Sequence, residues 1–198
     1  MGRIRSWVLY TALAEATDWP TAGGDPPFQV CVSLSARELV DPLLRQRVRE
    51  MLAATELDWG RLTSLEIAET DVAADPARVV RIAGRLRDMG LRIAIDDVGT
   101  AYSALLYVPG YPMDGLQMNG AVLAGIVGQG VDASLVRLVL RLTHELRRAA
   151  VEEGAHNYKH RDQLEWVGCD GGRGYLWSPA LPPLEVTRWL GSAGAGWS

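Results

Sequence analysis

The sequence has few cysteines and no long apolar run. Its two cysteines among 198 residues, Cys31 and Cys169, are too few for a disulfide framework or a cysteine-based metal site, so we expect reduced thiols. No uninterrupted apolar stretch approaches the roughly 20 residues that span a bilayer, and no signal-like apolar core follows Met1. We therefore expect a cytoplasmic protein that is not inserted in a membrane.

The sequence also lacks an excess of positive charge. Its 20 Lys and Arg residues are outnumbered by 24 Asp and Glu residues, which gives a formal net charge of -4. Sequence-independent binding to DNA depends on clustered basic residues, so a DNA-binding module is not expected. A hydrophobic content of 48% with 22% charged residues predicts one globular domain, over residues 1–190. The Gly-, Ala- and Ser-rich segment 191–198 is predicted to be a flexible tail.

Strand-like and helix-like segments alternate along the chain. Strands are predicted at 28–34, 62–67, 91–95, 116–118, 149–152 and 173–176, and helices at 4–19, 41–57, 75–89, 132–148 and 161–167, with a further helical segment from Ala121. This alternation predicts an α/β fold with a parallel sheet and helices outside it, either an open sheet or a barrel. About six strands are too few for a closed barrel, which has eight strands in about 250 residues.

Acidic and hydroxyl side chains follow several of the predicted strands. In parallel α/β folds functional groups gather at the carboxyl ends of the strands, and converging carboxylates repel one another unless cations are present. Oxygen ligands of this kind suit Mg²⁺, Mn²⁺ or Ca²⁺. The alternative is that each acid caps a helix or pairs with an arginine. The residues concerned are Ser33, Ser35, Glu66, Glu69, Asp96, Asp97, Glu152 and Glu153.

The ordered set of short motifs around these acids resembles the EAL domain family. The motifs are VSLSAR at 32–37, LEIAET at 65–70, IDDVGTAYS at 95–103, Glu-Gly at 153–154 and GCDGGRGYL at 168–176. The resemblance extends from about residue 7 to 183. It implies a modified TIM barrel of the kind that hydrolyses the bacterial second messenger cyclic di-GMP to its linear form.

The resemblance also implies roles for individual residues. The surviving metal ligands, expected to hold Mg²⁺ or Mn²⁺ only weakly, would be Glu66, Asp96, Asp97 and Glu153. Glu69 matches the glutamate that anchors the loop after the paired aspartates. The nucleotide-binding positions would be Asp96, Asp97, Asn119, Glu153 and Arg173.

Several positions depart from the family pattern. Ser33 stands where the family has asparagine, Gln117 replaces the lysine that polarises the attacking water, and Asn119 replaces an aspartate. His156 replaces the second glutamate of Glu-Gly-Val-Glu, and Arg173 replaces the glutamine of Gln-Gly-Tyr. The strand that carries Glu-Ala-Leu is not found in the sequence. We therefore expect an incomplete TIM-like barrel that lacks the first strand.

These departures predict a catalytically inactive EAL domain that acts as a regulatory or protein-interaction module and requires no cofactor. One alternative is a receptor that binds cyclic di-GMP without hydrolysing it. Another is a phosphodiesterase that is active only when a missing N-terminal segment completes it.

An unprotected apolar strand edge at 28–34 predicts self-association or a stable protein partner, through this edge or the helix at 4–19. The family resemblance suggests the region 101–112 for dimerisation instead.

Overall fold

A computed structural model describes residues 2–19, 29–55, 62–98, 110–120 and 131–192. These residues form six strands and eight helices. In chain order the elements are α1 (Gly2–Thr17), β1 (Val30–Leu34), α2 (Ala36–Leu39), α3 (Leu44–Thr55), β2 (Leu62–Ala68), α4 (Glu69–Ala74), α5 (Pro76–Arg87), β3 (Ile93–Val98), β4 (Gly115–Asn119), α6 (Val131–Glu145), β5 (Ala149–Glu153), α7 (Tyr158–Val167), β6 (Gly171–Arg173) and α8 (Pro183–Ser192).

The six strands form one parallel sheet in the order β1-β2-β3-β4-β5-β6. Consecutive strands are therefore neighbours, and the helices between them cover one face of the sheet. The sheet curls into a half-barrel, in which β1 and β6 are the end strands among the described residues. The predicted α/β class, parallel sheet and strand number are confirmed.

The alternation of side chains along each strand separates a packed outer face from a polar inner face. On β1, Val30, Val32 and Leu34 are buried, whereas Cys31 and Ser33 are more accessible. Because successive side chains of a strand point to opposite faces, the first set packs beneath the helices and the second faces the lumen of the half-barrel. The main core, which includes Leu13, Leu52, Leu65, Ile67, Leu86, Ile93 and Leu116, lies between the sheet and the helices.

Local sequence signals account for several helix ends. Asp75 precedes α5, its carboxylate accepts a hydrogen bond from the backbone N–H of Arg78 at 3.1 Å, and Pro76 occupies the first turn. Gly168 ends α7 in the left-handed conformation with φ of +89°. The helix starts that capping residues mark were therefore predictable. No helix among the described residues is both long and apolar enough to cross a membrane.

Other boundaries differ from the sequence prediction. The helix expected from residue 41 begins at Leu44, because Asp41 forms a turn and its carboxylate accepts from the N–H of Leu43. The last strand is Gly171–Arg173 rather than 173–176, because the chain turns at Gly174, so the prediction shares only Arg173 with it. The short helices α2 and α4 and the later helix α8 were not predicted. The first two residues of the expected tail belong to α8, and residues 193–198 lie outside the described part, as does the segment from Ala121 to 130.

Gly174 supports a sharp prediction about stability. A Cβ at this position would overlap the backbone carbonyl oxygen of Ala155 and lie 2.6 Å from its backbone nitrogen. Gly174→Ala is therefore expected to destabilise the fold by about 3 kcal/mol, as clashes with backbone do. A Cβ added at Gly84, inside α5, would meet no atom within 4 Å, so Gly84→Ala is the matched control and should stabilise by about 0.5 kcal/mol. Urea unfolding of both variants measures the contrast, and equal effects would contradict it.

Candidate functional site

The register of the sheet gathers the predicted site residues at the carboxyl ends of the strands. Ser33 on β1 lies opposite Glu66 on β2, and Ala68 lies opposite Asp96 on β3. At the other side of the half-barrel, Asn119, Glu153 and Arg173 are opposite one another on β4, β5 and β6. Four of the five parallel pairings thus contribute to one end of the lumen, as the strand pattern predicted.

Glu66 is the most enclosed of the four expected metal ligands. Its side chain is only 4% exposed, and both of its oxygens have a donor from the chain itself. The Ser33 hydroxyl lies 3.2 Å from Oε2, and the Nη2 of Arg173 donates to Oε1 at 2.9 Å. Two of the positions that depart from the family pattern therefore converge on one of the expected metal ligands.

Two side-chain amides contact two further acids of the site. The Nε2 of Gln117 donates to Oε2 of Glu153 at 2.8 Å, and the Nδ2 of Asn119 donates to Oδ1 of Asp97 at 2.8 Å. Gln117 is buried, whereas Glu153 is exposed at the end of β5. Each amide therefore satisfies a carboxylate oxygen with a neutral donor rather than with a positive charge.

The paired aspartates lie where β3 ends. Asp97 adopts a left-handed backbone conformation with φ of +56°, which aspartate tolerates better than most residues, and its N–H donates to Oδ1 of Asp96 at 2.8 Å. Burial raises the pKa of Asp96 from 3.8 to about 6, although the hydrogen bond from the Asp97 N–H acts to lower this pKa. The charges of Glu66, Asp97 and Glu153 raise it further, so the acids still repel one another.

Arg173 reaches across the lumen of the half-barrel. It lies on β6, yet its guanidinium contacts Glu66 on β2. Burial opposes its charged form, but the hydrogen bond and the negative charge of Glu66 outweigh burial, so the pKa of Arg173 lies above its usual value. The backbone carbonyl of Arg173 accepts from the N–H groups of Gly154 and Ala155 at 2.8 and 3.1 Å. The chain therefore holds this arginine firmly in place.

Cys31 is a site neighbour that the sequence reasoning did not include. It lines a lumen cavity of about 120 Å³ together with Glu66, Gln117 and Arg173. Burial, and then the charge of Glu66, raise the pKa of its thiol from 9.0 to about 11, so the thiol stays protonated and unreactive. Its position two residues before Ser33 on the same strand was the available signal, because such residues share one face. Neither Cys31 nor Cys169 forms a disulfide.

The contacts of these acids do not fit a divalent cation site of the family type. Both oxygens of Glu66 have donors within the chain, and one donor is a guanidinium. Among the described residues, no group of three or more His, Cys, Asp or Glu side chains is arranged to hold a metal ion. Weak Mg²⁺ or Mn²⁺ binding by Glu66, Asp96, Asp97 and Glu153 stays a prediction, and these contacts count against it.

Glu69 is the first residue of α4 and is fully buried. Its expected role is to anchor the loop that follows the aspartates. Most of that loop, residues 99–109, lies outside the described part of the chain, and so does most of the predicted dimerisation region. The anchoring role of Glu69 therefore stays a prediction.

The fold agrees with comparisons to known proteins. The EAL domain family matches residues 1–180, so the chain belongs to the EAL domain family. The parallel half-barrel with acids at the carboxyl ends of its strands is the corresponding part of the EAL barrel.

Individual relatives show how much of such proteins the chain represents. It is 32% identical over 183 residues to an uncharacterised protein of Azorhizobium caulinodans, covering 91% of this chain and 25% of that protein. It is 26% identical over 190 residues to a cyclic di-GMP phosphodiesterase of Pseudomonas aeruginosa, covering 96% of this chain and 32% of that protein. The chain thus spans about a quarter to a third of the length of these relatives.

A solved structure gives the same assignment. The phosphodiesterase PaMucR in complex with c-di-GMP superposes with a TM-score of 0.84 at 29% identity. The match covers 93% of this chain and 74% of that chain.

Glu152 is a buried acid directly behind the site. Glu152 lies with Ala150 on the buried outer face of β5, and it is only 3% exposed. Its Oε2 has no hydrogen-bond partner among the residues that the structure describes. Burial, and then the charge of Glu153, raise the pKa of Glu152 from 4.5 to about 7. The ionised form is therefore poorly accommodated in the folded protein.

Glu152→Gln is expected to stabilise the protein at alkaline pH. The folded-state pKa lies above the unfolded value, so the stabilising contribution of Glu152 is complete below about pH 4.5 and is lost as the pH rises to about 7. Near pH 8 the substitution should raise the free energy of unfolding by about 2 kcal/mol, with little change near pH 4. Urea unfolding across this range measures the effect.

The exposed Glu145 at the end of α6 supplies the matched control, and Glu145→Gln should not change stability in this pH-dependent way. A gain for Glu152→Gln that is equally large at both pH values would show that ionisation of Glu152 is not its cause.

Proposed function

We propose that the chain is a catalytically inactive EAL domain that acts in the cytoplasm as a regulatory or protein-interaction module in cyclic di-GMP signalling. The observation that carries this proposal is the side chain of Gln117, a neutral amide that is buried and bonded to Glu153. The family resemblance gives this position a lysine beside the attacking water.

Gln117 stands where the family has lysine, so a positive charge is missing beside the attacking water and the phosphate, where negative charge develops. During phosphodiester hydrolysis the phosphoryl oxygens and the oxygens that attack and leave carry developing negative charge in the transition state. A preorganised cation lowers the free energy of that transition state. One electrostatic contributor of this type is typically worth about 3 kcal/mol, or about a hundredfold in rate. The Gln117 amide is already engaged with Glu153, so it supplies no comparable stabilisation.

The contacts of Glu66 support the same proposal. Two-metal hydrolysis needs carboxylates that are free to hold both cations beside the phosphate. In this chain the Arg173 guanidinium and the Ser33 hydroxyl contact Glu66 instead. Completion by a further N-terminal segment would leave Gln117 in the place of the lysine, which argues against the alternative of a phosphodiesterase that such a segment activates.

A receptor that binds without hydrolysis is the second candidate. Its support is the PaMucR structure, which was solved with c-di-GMP, together with the acids and the Asn119 amide that line the mouth of the half-barrel. Arg173 is one of the nucleotide-binding positions that the family resemblance implies for such a receptor. Its guanidinium pairs with Glu66, so we rank the receptor below the interaction module.

Purified protein is expected not to convert cyclic di-GMP to the linear dinucleotide with Mg²⁺ or Mn²⁺, because the charge at Gln117 is missing and Glu66 is engaged. Chromatography of long incubations measures product against a protein-free blank. Asp96→Ala is the matched control, and turnover that this variant abolishes would contradict the proposal.

Calorimetric titration with cyclic di-GMP separates the two candidate functions. We expect weak binding at best, since the described part of the site offers carboxylates to a phosphodiester anion and its one guanidinium is paired with Glu66. A submicromolar dissociation constant would favour the receptor over the interaction module.

We also propose that the module self-associates through the face that α1 forms beside β1. Trp7 is 63% exposed on α1, and Val8 and Tyr10 are exposed beside it. A cavity of about 480 Å³ lies between α1, β1 and α3, along the end strand of the sheet. Strand edges and exposed apolar patches of this kind favour contacts between chains, and one patch that pairs with itself gives a symmetric dimer.

A Trp7→Lys, Tyr10→Lys double variant is expected to lower the mass of the assembly to that of a monomer, because two charges would be buried in the contact. Trp166→Lys is the control, since Trp166 is 65% exposed on α7 and stacks against Arg137 on α6, away from α1. Analytical ultracentrifugation measures all three proteins. Monomeric wild-type protein at high concentration would contradict self-association.

Val30→Lys would be a poor probe of this contact. Val30 is buried beneath the helices, so a lysine there would disturb the core as well as the strand edge.

A further inference from the structure

We propose that Arg173 is a built-in cation that takes the place of a divalent metal ion at Glu66 and ties the two ends of the half-barrel together. This inference goes beyond the proposed loss of activity. It concerns what stabilises the fold, and it holds whether or not the chain turns over a nucleotide.

The first step is the occupancy of Glu66. A buried carboxylate is stable only when its charge is paired and its oxygens accept hydrogen bonds. Arg173 supplies the charge at 2.9 Å and Ser33 supplies a hydroxyl at 3.2 Å, so both oxygens are satisfied within the chain. A divalent ion at Glu66 would have to displace a guanidinium or bind beside its positive charge.

The second step is the position of this contact in the sheet. The Gln117–Glu153 and Asn119–Asp97 hydrogen bonds join strands that already pair, β4 with β5 and β3 with β4. The Arg173–Glu66 contact instead joins β6 to β2, which lie four places apart in the strand order. It therefore stabilises the curl of the sheet, which backbone pairing between neighbours does not fix.

The third step is the anchoring of Arg173. Its backbone carbonyl accepts from the N–H groups of Gly154 and Ala155, so the residue is held at the end of β5. The backbone of Arg173 is thus already fixed, and formation of the ion pair must order only its side chain, whose planar guanidinium is itself preorganised. A fixed arginine at this position links β6 to β2, as a metal ion bound by residues of both strands would.

Arg173→Gln tests the proposal, because it introduces the residue type that the family resemblance gives this position. The variant loses the cation but keeps a polar side chain. Thermal unfolding is measured after treatment with EDTA, and then with MnCl₂, for wild type, Arg173→Gln, and the double variant Arg173→Gln, Glu66→Gln. Circular dichroism establishes that each protein is folded.

We expect no more than a slight stabilisation of the wild type by Mn²⁺. Arg173→Gln should unfold at a temperature about 5 °C lower without metal, because Glu66 loses its charged partner. Mn²⁺ in excess should restore about 5 °C, and the double variant should lose this response. Arg173→Lys should stay insensitive to Mn²⁺, since it keeps a positive charge near Glu66.

A wild-type protein that Mn²⁺ stabilises through Glu66, with the effect abolished by Glu66→Gln alone, would overturn the proposal. So would a folded Arg173→Gln variant that is as stable as wild type without metal. If an Arg173 variant fails to fold, the Mn²⁺ titrations of the wild type and of Glu66→Gln still decide. Turnover of cyclic di-GMP is a separate readout, so a failure of the proposed function would not be mistaken for a failure of this inference.

Discussion

The electrostatics of the half-barrel depend on one ion pair between a buried carboxylate and an arginine from the far end of the sheet. Glu66 is nearly inaccessible to solvent, and an ionised group in such a place needs a partner, because breaking a buried pair typically costs about 3–5 kcal/mol. Arg173 is partly exposed, which reduces that figure for this contact. Arg173 is still the charged partner of Glu66, at a distance of 2.9 Å.

The positions that depart from the EAL pattern act together rather than as separate losses. Ser33 and Arg173 contact Glu66, Gln117 contacts Glu153, and Asn119 contacts Asp97. Each of these four residues places a hydrogen-bond donor against an acid that the family resemblance assigns to metal binding. Glu66, Glu153 and Asp97 thus accept hydrogen bonds from the chain itself, as members of one polar side-chain cluster.

Much of the fold was predictable because its signals are local. The Asp75-Pro76 pair marks the start of α5, and alternating or continuous apolar runs identify the six strands. The short helix α4 was missed because it follows β2 without a loop. The gathering of acids at one end of the sheet followed from strand polarity. The Arg173–Glu66 contact did not, because it joins residues 107 positions apart and depends on how strongly the sheet curls.

The remaining charge of the site bears on what it can bind. Arg173 compensates Glu66, whereas Asp96 accepts from a backbone N–H and Glu153 from the amide of Gln117, and the charges of Glu66, Asp97 and Glu153 contribute to the raised pKa of Asp96. A phosphodiester is an anion, and it approaches such a cluster favourably only when cations lie between them. Because the guanidinium of Arg173 is paired with Glu66, the neighbouring carboxylates of Asp96 and Glu153 oppose the approach of an anion such as a phosphodiester.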